Sequence, residues 1–366
     1  MLFAVAAFWL AAAPGRLPVQ GLWLTSGPAY PTIESIALVP GDESIVYAAA
    51  RDPESSTSGL FRSDDGGRTW TLLAQAPSQA SVREVAIDPT GPQRILALAV
   101  NPLGHDVLYR SEDGGVSWVQ TGVFVAHDTR TVFFDPVAAD TAYLFGANHL
   151  SRSEAGGAWE DVAAPEVGVG YSVGYSAWAS PRGGLYLAEE TQDPNGSCLP
   201  FFHCVSDGIF VSTTQGRAFE GAGSPFCLDI EFVDYAPSSA SVAYATGPGC
   251  EPLLVSGDGG GSWSRVVSND LAAILEPANH VQAQIAGIAV DPLDAATLYV
   301  TLSWPDPAAA RLLRSNDGGV HWTRVPVPEP PTGPLTIGST SRILYVGTVR
   351  GVFRLSLDRT QILPPR

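Results

Sequence analysis

The sequence predicts an all-β fold: a seven-bladed β-propeller of four-stranded antiparallel blades, its ring closed by a strand from the N-terminal end. Three observations predict it. The stretch SDDGGRTW (Ser63 to Trp70) returns as SEDGGVSW (Ser111 to Trp118), SGDGGGSW (Ser256 to Trp263) and SNDGGVHW (Ser315 to Trp322), with two worn copies between them, SEAGGAW (Ser153 to Trp159) and STTQGRAF (Ser212 to Phe219). Every copy lies at the end of a unit of forty to sixty residues with room for four short strands, which is the blade of a propeller. The composition agrees, because 38 Gly, 30 Pro and 9 Trp beside only 16% charged residues suit short strands and tight turns better than long helices.

Within each unit the elements follow in a fixed order. An inner strand often closes on Asp-Pro, as in VAIDP, VFFDP and IAVDP. The second strand is a continuous apolar run such as IVYAAA, ILALAV, TAYLFG or TLYVTL. The third strand (GLFR, VLYR, PLLV, RLLR) leads into the Asp-Gly-Gly turn, and the fourth begins on the aromatic residue (TWTLL, SWVQ, SWSRVV, HWTRV). After the sixth copy, GPLTIGS, ILYVGT and GVFRLSLD supply only three strands. The missing fourth is expected from GLWLTSGP near the start of the chain, where Trp23 takes the place that Trp70 has in its own strand, tying the ends of the ring and removing open sheet edges. The propeller then occupies residues 21–357 as one domain, with a signal peptide over 1–13 and a C-terminal tail over 358–366.

The repeated S-x-D-G-G-x-T/S-W stretch resembles the Asp box, or BNR repeat, of sialidases, the sortilin ectodomain, xyloglucan-hydrolysing propellers and photosystem II assembly factors. The resemblance implies a structural turn in which Asp65, Asp113, Asp258 and Asp317 accept backbone and hydroxyl hydrogen bonds, the glycines take positive φ and the Trp packs into the blade. Turn chemistry points the same way, since Asp favours turns and Gly reaches positive φ without steric cost. An EF-hand would space its acids at alternate positions and end on a Glu, and the box does neither. The sialidase catalytic set does not carry over: those enzymes have six blades, an arginine triad and an Arg-Ile-Pro motif, which is absent here. Xyloglucan hydrolases of this type place their cleft between two tandem propellers, and this sequence predicts one.

A net charge of −17, with Arg as the sole strongly basic residue type, excludes a polyphosphate partner such as nucleic acid and a polybasic grip on lipid. The opening MLFAVAAFWLAAAPG is too short to span a bilayer and ends in small residues, which predicts export to the periplasm, cell surface or medium and no stable membrane insertion. Four cysteines in such a chain, Cys198, Cys204, Cys227 and Cys250, predict two disulfides, Cys198 with Cys204 and Cys227 with Cys250 being the preferred of three pairings. They lack the C-x-x-C spacing of a zinc site.

Ligand chemistry is expected on the face opposite the boxes, around the channel mouth. Arg83 and Arg130 begin adjacent inner strands, at the place of Tyr175 in blade four, while Arg51 and Arg350 follow the second strands of blades one and seven. Together they could grip a carboxylate or sulfate, or else pair with the neighbouring Glu84, Asp128 and Asp52. His105, His127 and His149 are weak metal candidates without recognisable ligand spacing, and no cofactor is expected. Phe201, Phe202 and His203, inside the longest insertion, could anchor a peptide or sugar or form that loop's own small core. The carboxylate pair that sugar hydrolysis needs is not identifiable among Asp106, Asp128, Glu189, Glu190 and Asp306. Because each strong motif has a structural account, the sequence favours a non-catalytic exported scaffold binding a protein, peptide or glycan, with a glycoside hydrolase of sialidase or xyloglucanase type as the alternative.

Overall fold

The computed structural model describes residues 24–28, 30–52, 57–73, 80–124, 129–146, 150–162, 174–190, 209–221, 232–246, 253–275, 283–304 and 306–357. They form seven four-stranded antiparallel sheets. Six run in strict chain order from inner to outer strand, beginning with Thr32–Leu38, Ser81–Ile87, Thr129–Phe134, Gly174–Ser180, Phe232–Tyr235 and Gln284–Val290. The seventh combines Pro331–Ile337, Ile343–Thr348 and Gly351–Ser356 with Leu24–Gly27 as its outer strand. Leu24 lies opposite Arg354 as Thr71 lies opposite Arg62, the register that the match of Trp23 with Trp70 predicts. Trp23 itself lies outside the described residues.

The second strands are the core. Val46–Ala50 and Ile95–Ala99 are buried along their whole length, because blades stack face to face and leave neither side of these strands to water. Their sequences are continuous apolar runs rather than alternations for that reason. Packing between blades one and two joins Tyr47, Ala49 and Leu60 to Val82, Val85, Ile95 and Ala97. A like cluster between blades five and six takes in Leu271 and Leu275 of the short helix Asn269–Leu275, which caps this seam.

Each intact box closes as a hydrogen-bonded turn. Asp65 accepts the amides of Arg68 and Thr69 at 2.8 Å and the Thr69 hydroxyl at 2.7 Å, while Ser63 Oγ takes the Gly67 amide. Gly66 and Gly67 sit at φ +67° and +75°, where a side chain is strained. Asp113, Asp258 and Asp317 repeat the pattern with Ser117, Ser262 and His321. The hydroxyl and amide of Ser117 hold the Asp113 carboxyl at about 2. The box amide also reaches the turn between inner and second strands, Gly66 N donating to Ser44 O and Gly114 N to Gln93 O, so these turns share one face of the ring.

The worn boxes keep the backbone and lose the carboxylate. In blade three the residue missing is the Asp itself: Ala155 takes the first glycine's place at φ +51°, and its amide donates to Asp140 O as Gly66 N does to Ser44 O. In blade four Gln215 stands at φ +57°, and Thr214 Oγ1 takes over from the carboxylate by accepting the Ala218 amide at 2.9 Å.

Candidate functional site

Opposite the boxes lie the turns from second to third strand and the connections between blades, with the ends of the inner strands at their centre. The inner strands of blades one, two, three and six each slip register by one residue near this end, at Glu34, Arg83, Arg130 and Ala286. A bulge of this kind leaves one residue out of the ladder and re-aims its side chain. Blades two and three thus place arginines at equivalent bulges, and blade one places a glutamate there. Blade four has no slip: Tyr175 pairs regularly with Glu189, so it is a ladder residue and not the counterpart of Arg83.

The described arginines that the sequence reading placed at the mouth, Arg51, Arg83 and Arg350, are engaged in ion pairs. Arg51 meets Glu34 at 2.6 Å, and Arg350 meets Glu329 at 3.3 Å. Arg83 meets Asp106 at 2.9 Å and donates to Thr129 O at 3.0 Å. Asp106 is fully buried and also accepts the Thr129 amide, so this pair clips the third strand of blade two to the inner strand of blade three. Breaking such a buried pair is costly because the remaining charge is left without a partner. The Arg130 and Tyr175 side chains lie outside the described set, as do Phe201, Phe202, His203, His127, His149 and the four cysteines. His105 ends a turn in which its amide donates to Asn101 Oδ1, and no group of three potential metal ligands occurs among the described residues.

Two carboxyls stand on the inner strands: Glu84, which the sequence offers only as a partner for the arginines, and Asp234, which it does not single out. Glu84 accepts the Thr131 hydroxyl at 2.7 Å and the Val132 amide at 3.1 Å, and Asp234 accepts the Val290 amide at 2.8 Å. Each thereby ties its blade to the next. Burial pushes Glu84 up to about 7 against the pull of Thr131, Val132 and Arg83, and pushes Asp234 up to about 6. Both keep a little exposed surface, yet dense protein surrounds them where the inner strands converge. The available signal was a charged residue inside an otherwise apolar strand, as in FVDY.

Further acids at the mouth are Asp52, which ends the second strand of blade one, Glu189 and Glu190, which end that of blade four and whose side chains lie outside the described set, and Asp306, which is exposed and caps the turn Pro307–Ala309 through the Ala308 amide. Beside it the Arg311 guanidinium lies 5.8 Å from the centre of the Trp304 ring. An aromatic face, cations and acids at one rim form a surface able to stack on and hydrogen-bond a sugar chain.

No family model matches the chain. Among curated proteins it is similar to a xyloglucanase of Paenibacillus sp, 27% identical over 305 residues, and to xyloglucanase Xgh74A of Acetivibrio thermocellus, 26% identical over 320 residues; the matches cover 80% and 81% of this chain and 27% and 32% of theirs. A xyloglucanase of Hypocrea jecorina is 23% identical over 312 residues. The chain spans about a third of the length of these relatives. Of the solved structures, the GH74 xyloglucanase from Xanthomonas campestris superposes with TM-score 0.67 at 17% identity, over 94% of this chain and 55% of that one. YCF48 bound to D1 peptide gives 0.59 at 15% identity, over 92% of this chain and 97% of that one. These superpositions bear out the propeller. The sequence-based preference for a non-catalytic scaffold is corrected by the three curated relatives, which are all named as polysaccharide-cleaving enzymes; nothing in the comparisons supports a sortilin-like binding protein.

Proposed function

We propose that the chain is the propeller of a glycoside hydrolase acting on an extracellular polysaccharide of the xyloglucan class, which lies across the channel-mouth face. The observation that supports it is sequence similarity to three xyloglucanases along four-fifths of the chain. Hydrolysis of a glycosidic bond needs one protonated carboxyl to deliver a proton to the leaving oxygen and a second carboxylate as base or nucleophile, roughly 5–10 Å apart according to whether configuration is retained or inverted. Glu84 and Asp234 have pKa values suited to the acid role, but both are spent on bridging blades and stand below the rim. Asp52 and Asp306, at the rim, are the carboxyls assigned to contact with substrate, and Trp304 is the stacking platform. Because the chain covers only part of its relatives, glycan engagement and turnover are tested apart. The purified protein should bind xyloglucan in affinity electrophoresis and release reducing ends, and Asp52→Asn or Asp306→Asn should abolish release while binding persists. Failure to bind xyloglucan would overturn the proposal, whereas binding without release would limit it to one wall of a cleft.

A further inference from the structure

The turn from inner to second strand opens on an amide that reaches a carbonyl on its far side. Asp88 N donates to Arg94 O in this way, Asp135 N to Thr141 O, Asp291 N to Thr297 O and Gly338 N to Ile343 O, which fixes these four as equivalent places. In blades two, three and six the aspartate there caps its own turn. Asp88 accepts the Thr90 amide at 2.7 Å, Asp135 those of Val137 and Ala138 at 2.9 and 2.8 Å, and Asp291 that of Leu293 at 2.9 Å. This is the ordinary turn chemistry of Asp, whose carboxylate bonds the backbone two residues on.

Blade seven has Gly338 at that place and no side chain to offer. Its turn is capped all the same, by a carboxylate from the neighbouring blade. Glu43 of blade one accepts the amides of Thr340 at 2.9 Å and Ser341 at 2.7 Å, the second and third residues after Gly338, together with the Ser339 hydroxyl at 2.8 Å. A Cβ at Gly338 would collide with the Glu43 carboxylate and with Ser341 Oγ, so the glycine leaves the space that the glutamate fills. Burial opposes the charge on Glu43, but the bonds from Ser341, Thr340 and Ser339 outweigh it and hold the carboxyl at about 2.

Glu43 has no acidic counterpart among the described turns of this form. It precedes Ser44, whose carbonyl accepts the box amide, and the residues that precede the matching acceptors Gln93, Asp140, Ser241, Ala296 and Arg342 are Pro92, Ala139, Ala240, Ala295 and Ser341. The glutamate therefore faces the one seam at which blade seven borrows its outer strand from ahead of blade one. That strand is paired at three positions, with a register slip among them.

We propose that Glu43 is a latch: it supplies from blade one the carboxylate cap that the seventh turn lacks, and so ties the first hairpin of blade seven to blade one and holds the ring closed on the box face. A local aspartate would satisfy the same amides without joining anything. Moving the cap to the neighbouring blade keeps those bonds and adds a tie across the seam, made of charge-assisted hydrogen bonds, the stronger kind. Arg342, at the end of the same turn, pairs with Asp291 of blade six at 2.9 Å, so the turn is keyed to both of its neighbours.

The test is a swap in the full chain. Glu43→Ala uncaps the turn and should lower Tm by about 2 °C. Gly338→Asp alone sets a second carboxylate against Glu43 and should lower Tm as well, whereas Glu43→Ala/Gly338→Asp rebuilds the cap within the turn and should recover most of the loss, a coupling that independent sites do not show. Shifts that simply add would overturn the shared site. Hydrogen exchange then separates a latch from a cap. Over residues 343–356 both Glu43→Ala and the double variant should exchange about tenfold faster than the parent, while residues 95–111 keep the parent's rate. Parent-like exchange over 343–356 in the double variant, or equal acceleration in the two regions, would overturn the latch.

Discussion

The two faces of the ring obey different rules. On the box face, positions repeat from blade to blade and almost every polar group is spent on the turn or on the neighbouring blade, as with Ser63, Asp65 and Thr69 or Tyr47, Arg62 and Gly114. On the mouth face the same backbone position carries Glu34, Arg83, Arg130 or Ala286. Selection for closure makes residues alike, and a surface that must meet an asymmetric ligand makes them differ. The worn boxes mark how far repetition is needed: blades three and four keep the positive-φ backbone after losing the carboxylate. The turn survives loss of the Asp, so the Asp adds stability to a shape that packing already holds.

Substitutions can break this contrast, beginning with the largest effect. Deleting residues 21–26 removes most of blade seven's outer strand and should lower Tm by more than 10 °C or leave the protein unfolded, since it opens the ring and exposes a sheet edge; a soluble variant with unchanged melting would show that closure contributes little. Arg83→Ala strands the buried Asp106 carboxylate and should cost about 2–3 kcal/mol in urea unfolding, with Arg83→Ala/Asp106→Asn recovering part of it. Asp258→Ala should cost about 1 kcal/mol and leave polysaccharide binding unchanged. Loss of binding with the fold intact would give the box face a role in function.

The inner-strand carboxyls add a pH dependence. Glu84 titrates near its ordinary 4.5 when unfolded and at about 7 when folded, so the folded state holds the proton longer. Stability from this group is therefore complete below pH 4.5 and declines as pH rises from 4.5 through 7. Asp234, raised from 3.8 to about 6, adds a decline over that lower window. Glu84→Gln should flatten the upper part of the curve, from pH 6 to 7.5, as read by urea midpoint. An unchanged slope in that interval would assign it to other groups.

The fold was legible because its determinants recur. Six copies of one turn, each flanked by the same strand order, fixed blade size, blade count and even the register of the closing strand, with Leu24 opposite Arg354. The mouth was not legible for the opposite reason. Arg83 was visible as a charged residue at a strand start, but its partner Asp106 is the first residue of the third strand, two strands away, and is met through the slip at Arg83 itself. The expected neighbour pairings of the arginines with Glu84, Asp128 and Asp52 follow sequence adjacency, whereas Arg51 and Arg83 instead reach across strands to Glu34 and Asp106. The burial of Glu84 was not legible because it depends on how closely neighbouring inner strands converge, which no single blade's sequence records.

Closure through Leu24–Gly27 also has a consequence in time. Within this sequence the strand precedes its partner Gly351–Ser356 by the length of six blades. At ribosomal rates of about 5–20 residues per second, it waits on the order of half a minute for that partner. Six blades can stack as they are made, while the apolar flank of blade one stays uncovered until blade seven has been made. Reordering the sequence so that Leu24–Gly27 follows directly after Gly351–Ser356, and blade seven is translated as one piece, would remove that wait and should raise the yield of folded protein without altering the finished ring.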